Sequence, residues 1–411
     1  MVQRISTGRG LFRVFAALAA GALVAVGLTA VTTAADATTK HIKSASRDAR
    51  PAASICGDTA QGATRPGNIA GVVRPASTSS RCISSGSPAA EPHSFGQPPL
   101  LYNGGHVMGA SSAPIVLTPI YWVPSGHPMG PNYRSILSSY ISDVAADSGQ
   151  HTNVFSTLPE YYQIANGQQQ NIHYNVQAGT PIVDTNPLPA NGCTVLAADR
   201  SNIYGDLTGY DACLDDDQLI AETENVVNNE GLPRDFDHMY ILFLPKGVES
   251  CFFPGSNANG SGNVCTINHE DTAGYCAYHN FVPNDGLIYG NLPFPIFQSP
   301  VGFTCGSEAK YPVNQRPNGN TNADVEVSPT SHEIMEAITD PEAFTVPGGG
   351  WYDILTYENG DECAYQFGHT QGAFGQRYNQ TINGNHYLTQ LEFSNANFAA
   401  TAGAGGCLPY E

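Results

Sequence analysis

Ser328-Pro-Thr-Ser-His-Glu-Ile-Met-Glu-Ala-Ile-Thr-Asp-Pro341 carries punctuation at both ends. Ser328 reads as an N-cap with Pro329 at the first helical position, where a missing N–H costs nothing. Asp340 precedes Pro341, is pushed out of the α region, and ends the helix. About three turns lie between. His332 and Glu336 are four residues apart and share a face, and Glu333 sits about 100 degrees round the axis from His332. Ile334, Met335 and Ile338 give the helix an apolar side for a core.

Outward from this helix, strands and helices interleave. Ala113–Val123 is β-branched and aromatic and reads as a buried strand. Tyr133–Ala146 repeats apolar residues at helical spacing. Gln170–Val183 reads as one or two strands, and Asp215–Asn229 as a helix with acids at its N-terminus, where the macrodipole favours them. Asp237–Val248 predicts a central strand, with shorter ones at Tyr275–Phe281 and Leu287–Phe294. Gly348–Glu411 is rich in glycine and asparagine and reads mostly as loop, with a strand at Tyr387–Phe393. The pattern predicts one α/β or α+β domain over 99–411 with a mixed sheet and disulfide-braced loops.

The N-terminus reads as an export signal over 1–37: Arg4, Arg9 and Arg13 precede the apolar run Phe15–Val31, and Ala35-Asp36-Ala37 offers a cleavage site. Residues 38–98 are rich in Ala, Ser, Pro and Gly and read as a linker or pro-segment. Ten cysteines fit an oxidising compartment: Cys56, Cys82, Cys193, Cys213, Cys251, Cys265, Cys276, Cys305, Cys363 and Cys407. Neighbour pairing is expected, with Cys193–Cys213 and Cys276–Cys305 foremost. Residues 1–81 carry ten Lys/Arg against three Asp/Glu, and 82–411 carry seven against 33, within a formal net charge of −19. So acidic a body offers no footprint for nucleic acid or for anionic lipid, and no membrane partner is expected after signal cleavage. Oligomeric state is not readable.

Two ligand-type residues one turn apart with an adjacent glutamate is the layout of His-Glu-x-x-His metallopeptidases, and a zincin-like domain is expected from it. Here the second ligand position is Glu336, a carboxylate that zinc accepts. Glu358 is the expected third ligand, by similarity to peptidases in which a distal glutamate completes the zinc shell. Asp361 would then orient His332 through a hydrogen bond. Asp340 and His386 are competing third ligands. The expected chemistry is hydrolysis of a peptide or protein substrate, with zinc on His332, Glu336 and Glu358 and Glu333 as the base. One histidine and two carboxylates would acidify bound water less than three histidines, and would also tolerate calcium or manganese. If no metal binds, Glu333 and Glu336 are solvated surface charges or partners of the few arginines. Calcium is a structural candidate at Asp211, Asp215, Asp216 and Asp217, or at Asn318, Asn320, Asn322, Asp324 and Glu326, although a solvated helix start or loop explains both series better. No G-x-S-x-G elbow occurs, and Ser331 and His332 point apart on a helix.

Leu101-Tyr-Asn-Gly-Gly-His-Val-Met108 and Ile120-Tyr-Trp-Val123 resemble the opening of the phosphate-induced, exordium-like secreted proteins of plants. Met239–Val248, Cys276-Ala-Tyr-His279, the His332–Glu336 helix and Glu358-Asn-Gly-Asp-Glu-Cys363 follow in that family's order. The resemblance spans most of 100–365. It implies an exported, disulfide-bonded extracellular or cell-wall protein and supplies no reaction. Where it holds without the peptidase chemistry, the helix carries a structural ion or none.

Overall fold

β-branched, aliphatic and aromatic residues fill Ile115–Trp122 and His238–Phe243, which pair in parallel inside a seven-stranded sheet. Leu287–Leu292 continues it in parallel, and Ala277–Val282 turns back antiparallel beside that strand. Val72–Val73 closes this edge, while Val176–Ala178 and Ile182–Asp184 share the other. The computed structural model describes residues 96–204, 208–253, 264–266, 273–296, 315–343 and 349–411, with short strand segments at 72–73, 76–77, 82–84 and 303–304. All of these belong to one compact unit, 53–411; the other unit, 1–52, contains the expected export signal and lies outside the described residues.

Side chains alternate along a strand, so each strand serves two layers. Ile115, Leu117, Met239, Ile241, Ile288 and Leu292 face one way and pack the helices Tyr133–Ala146 and Thr321–Thr339. Ile120, Trp122, Tyr240, Leu242, Leu287 and Tyr289 face the other way and pack the helix Asp216–Glu230. The chain leaves Ile115–Trp122 through Tyr133–Ala146 towards one edge and returns through Asp216–Glu230 to its other side. Right-handed crossovers in opposite directions place those two helices on opposite faces. The architecture is mixed α/β, with smaller sheets around the main one.

The sequence reading of the central helix is right at its end and wrong at its start. Asp340 is the C-cap, its N–H bonded to the Glu336 carbonyl at 2.8 Å. The helix begins at Thr321, and Pro329 lies inside it. Asn320 is the N-cap, its side-chain oxygen accepting from the N–H groups of Asn322 and Ala323 at 3.0 and 3.1 Å. Asp324 accepts in turn from Asn318 and Asn320. This cap outcompetes Ser328, and Pro329 forfeits one intrahelical bond, to Val325, in a helix whose burial offsets it. The Asn318–Asp324 part of the Asn318–Glu326 series is therefore capping chemistry, and Asp324 and Glu326 are buried rather than solvated. Asp215 caps the helix behind it through a reciprocal box with Gln218, and Asp216 accepts from the hydroxyls of Tyr278 and Tyr289 at 2.6 Å each.

Other boundaries moved. The strand expected over Asp237–Val248 stops at Phe243, and a separate strand Val248–Phe253 joins a small sheet with Ala212–Asp215. The 38–98 segment contributes backbone to the body: Val72–Val73 pairs with Ala277–Tyr278, and Cys82–Ser84 pairs with Gln366–His369. Cys193–Cys213 and Cys251–Cys265 brace the small sheet, and Cys363–Cys407 ties the C-terminal strand to the region after the central helix. All three join sequence neighbours. The expected Cys276–Cys305 and Cys56–Cys82 pairs rest on side chains outside the described residues. No helix among the described residues is long and apolar enough to cross a membrane.

Candidate metal centre

Three pieces of chain bring the chemistry together. The central helix supplies His332, Glu333, Glu336 and, at its cap, Asp340. The turn Glu358–Glu362 supplies Glu358 and Asp361. The strand Ala277–Val282 supplies His279, which shares the inward parity of Ala277 and Phe281 and so faces the helix. His279 is 4% exposed and the other six side chains no more than 1%. The reading of Glu333 and Glu336 as solvated charges is thereby excluded.

Helical spacing sets the first contact. His332 Nε2 lies 2.8 Å from Glu336 Oε1, one turn away. The same oxygen accepts the Asp361 N–H at 3.0 Å. Gly360 makes that approach possible: a Cβ there would stand 2.7 Å from the His332 ring. Gln390 donates to the Gly360 carbonyl at 2.7 Å, and Asn359 exchanges two bonds with the Phe393 backbone, so the strand Glu392–Phe393 and the residues just before it clamp the turn.

His279 bridges the two ends of the cluster. Its Nδ1 lies 3.1 Å from Glu333 Oε2 and 3.8 Å from Glu336 Oε2, and its Nε2 lies 3.4 Å from the Asp340 carbonyl oxygen. Ligand atoms fall within 4.8 Å of one another in three sets: His332, Glu336 and Asp361; His279, Glu333 and Glu336; and His279, Asp340 and Glu358. Asp361 thus completes the His332–Glu336 pair where Glu358 was expected. Glu358 sits instead with Asp340 and His279. His386 belongs to none of the sets; it is exposed and stacked on Tyr378 at 3.6 Å. Sequence reading missed His279, whose only signal is a histidine at the inward parity of an expected strand.

Burial dominates the electrostatics. It holds Glu336 well above the usual carboxylate range, and the charges of Asp361, Asp340 and Glu392 add to the effect. Asp340 is raised by burial and then by Glu358. Burial lowers His279 to about 4, the Asp340 carbonyl opposing and His332 reinforcing the shift. Among the described residues, the only basic side chains paired with Glu336 are His279 and His332. Glu336 Oε2 and Asp340 Oδ2 are buried and accept no hydrogen bond. Imidazole nitrogen and carboxylate oxygen at these separations suit a divalent cation, which would satisfy those oxygens and offset the charge. The cysteine-containing groups of similar spacing, around Cys251, are disulfide sulfurs and hold no such promise.

Cys363 follows the turn directly, and its bond to Cys407 closes a 44-residue separation. Replacing both cysteines by alanine should lower unfolding free energy by about 4 kcal/mol from loop entropy. Affinity for a divalent cation offered to His332, Glu336 and Asp361 is expected to fall as well, because Asp361 loses its tether. Denaturant unfolding beside metal titration checks both effects.

Comparison with family models, with curated proteins and with solved structures finds no match to this chain.

Proposed function

We propose that the chain is an exported metal-dependent hydrolase of the peptidase type, with zinc held by His332, Glu336 and Asp361. The observation that carries this reading is the convergence of those three buried groups, with a Glu336 oxygen left without a hydrogen bond. Zinc held there supplies Lewis acidity towards a water and a substrate carbonyl. The protein's own part is proton transfer. Glu333 neighbours His332 and meets the His279 ring, which orients its carboxylate. It takes the proton from the attacking water and returns it to the amine that leaves as the peptide C–N bond breaks.

A second reading draws on the burial of all seven side chains, which favours a structural ion in a non-catalytic extracellular or cell-wall protein of the exordium-like kind. Calcium or manganese then replaces zinc, and Glu333 has no chemical task. The disulfides fit an oxidising compartment under either reading.

Elemental mass spectrometry of protein purified without chelator tests the shared premise. Zinc should be present in the wild type, and the ion at His332 should be lost from His332→Ala. Calcium that survives the substitution would move the ion elsewhere, and a folded wild type without metal would end both metal readings.

A further inference from the structure

Asp340 and Glu358 are not needed by the zinc reading, yet they are buried beside it. They share no residue with the His332, Glu336 and Asp361 set, and their ligand atoms lie within 4.8 Å of one another and of His279. We propose that the centre is binuclear, with a second divalent cation held by His279, Asp340 and Glu358. This rests on the metal reading above.

Two further observations point to a ligand at that place. The first is the His279 ring, whose nitrogens both face oxygen: Glu333 Oε2 at Nδ1 and the Asp340 carbonyl at Nε2. A neutral imidazole carries one N–H, so one nitrogen turns a lone pair towards an oxygen. With Nδ1–H donated to Glu333, Nε2 carries the lone pair, and a cation on that side turns the repulsion into coordination. Ligating imidazoles commonly pass their other N–H to a carboxylate in this way. The second is Asp340 Oδ2, which is fully buried and accepts no hydrogen bond although Thr339 donates to Oδ1 at 2.9 Å. The backbone holds Asp340 in place, since a Cβ on Gly350 would fall 2.3 Å from its Cα.

Glu336 links the two positions. Its Oε1 faces His332 and its Oε2 faces His279, so one carboxylate spans both imidazoles. Paired-ion hydrolases use such carboxylates between cations about 4 Å apart. The second ion would fix His279 and, through its Nδ1–H, the Glu333 carboxylate. One nitrogen and two carboxylates suit zinc or manganese.

Titrating chelator-stripped full-length protein with cobalt(II), followed by d–d absorption and by elemental analysis after gel filtration, counts the ions. The expected break is at two equivalents in the wild type, falling to one in Asp340→Asn, in Glu358→Gln, or in both. A wild-type break at one equivalent overturns the second site, as does a break at two in both variants. No cobalt bound by folded wild type, or a count unchanged in His332→Ala, would instead sink the underlying metal reading. The wild-type count does not depend on either variant folding, and Glu358→Gln carries the location if Asp340→Asn fails to fold.

Discussion

Glu333→Gln should lower kcat on a mixed-sequence peptide library by roughly 10²- to 10⁴-fold, the range typical of losing a positioned general base. The substitution is isosteric and keeps an oxygen for the His279 Nδ1–H, which lies 3.1 Å from Glu333 Oε2. Metal content, unfolding midpoint and KM should therefore stay near wild type. Glu336→Gln should differ by losing the ion, because Glu336 Oε1 is 2.8 Å from His332 Nε2 and belongs to the proposed ligand set. That contrast separates a base from a ligand on the same helix. Wild-type hydrolysis that persists in Glu333→Gln would leave Glu333 without a role. A metal-loaded wild type with no hydrolysis on any library would favour the structural ion. The acidic charge of the body, −26 over 82–411 from the counts given above, predicts that acidic peptides will be the poorest substrates.

How much of this was legible in the sequence follows from what each residue depends on. The His332–Glu336 pairing and the stop at Asp340 depend on helix geometry alone, and both could be read from spacing. The helix start depended on a competition that spacing does not rank. Ser328-Pro329 is a sound N-terminal signal, but Asn320 with Asp324 forms a fuller cap upstream, and the helix runs on through Pro329. The choice between Glu358 and Asp361 turned on one tight turn, in which Gly360 lies against His332 and sets the Asp361 N–H on Glu336. Three residues of sequence separation cannot show which carboxylate that turn presents. His279 lies over 50 residues upstream and reaches the helix only through strand parity and sheet order. The outer elements were easier: Tyr133–Ala146 formed at the expected residues because its apolar stripe has a single face to bury.

Stripping the ions with chelator at pH 8 should lower the unfolding midpoint by roughly 6–8 °C. An ion present at about a thousand times its dissociation constant contributes about 4 kcal/mol to the folded state. Scaled by length, a domain of about 310 residues moves by roughly 1.5–2 °C for each kcal/mol. The effect should also depend on pH with a definite sign. Burial raises Glu336 and Asp340 in the folded apoprotein, so folding there favours their protonated forms. Apoprotein stability from these groups is therefore greatest below the unfolded carboxylate range near pH 4, and falls as pH rises towards their raised folded values. The metal-loaded protein runs the other way, because ligands must lose protons to bind and acid releases the ion. The difference between loaded and stripped midpoints should be small near pH 5 and widen steadily to pH 8. A gap that is constant across that range would mean that the ion, if bound, is not exchanging with protons on these carboxylates. A midpoint indifferent to chelator at pH 8, in protein shown to have lost its metal, would mean that Glu336 and Asp340 are satisfied without a cation.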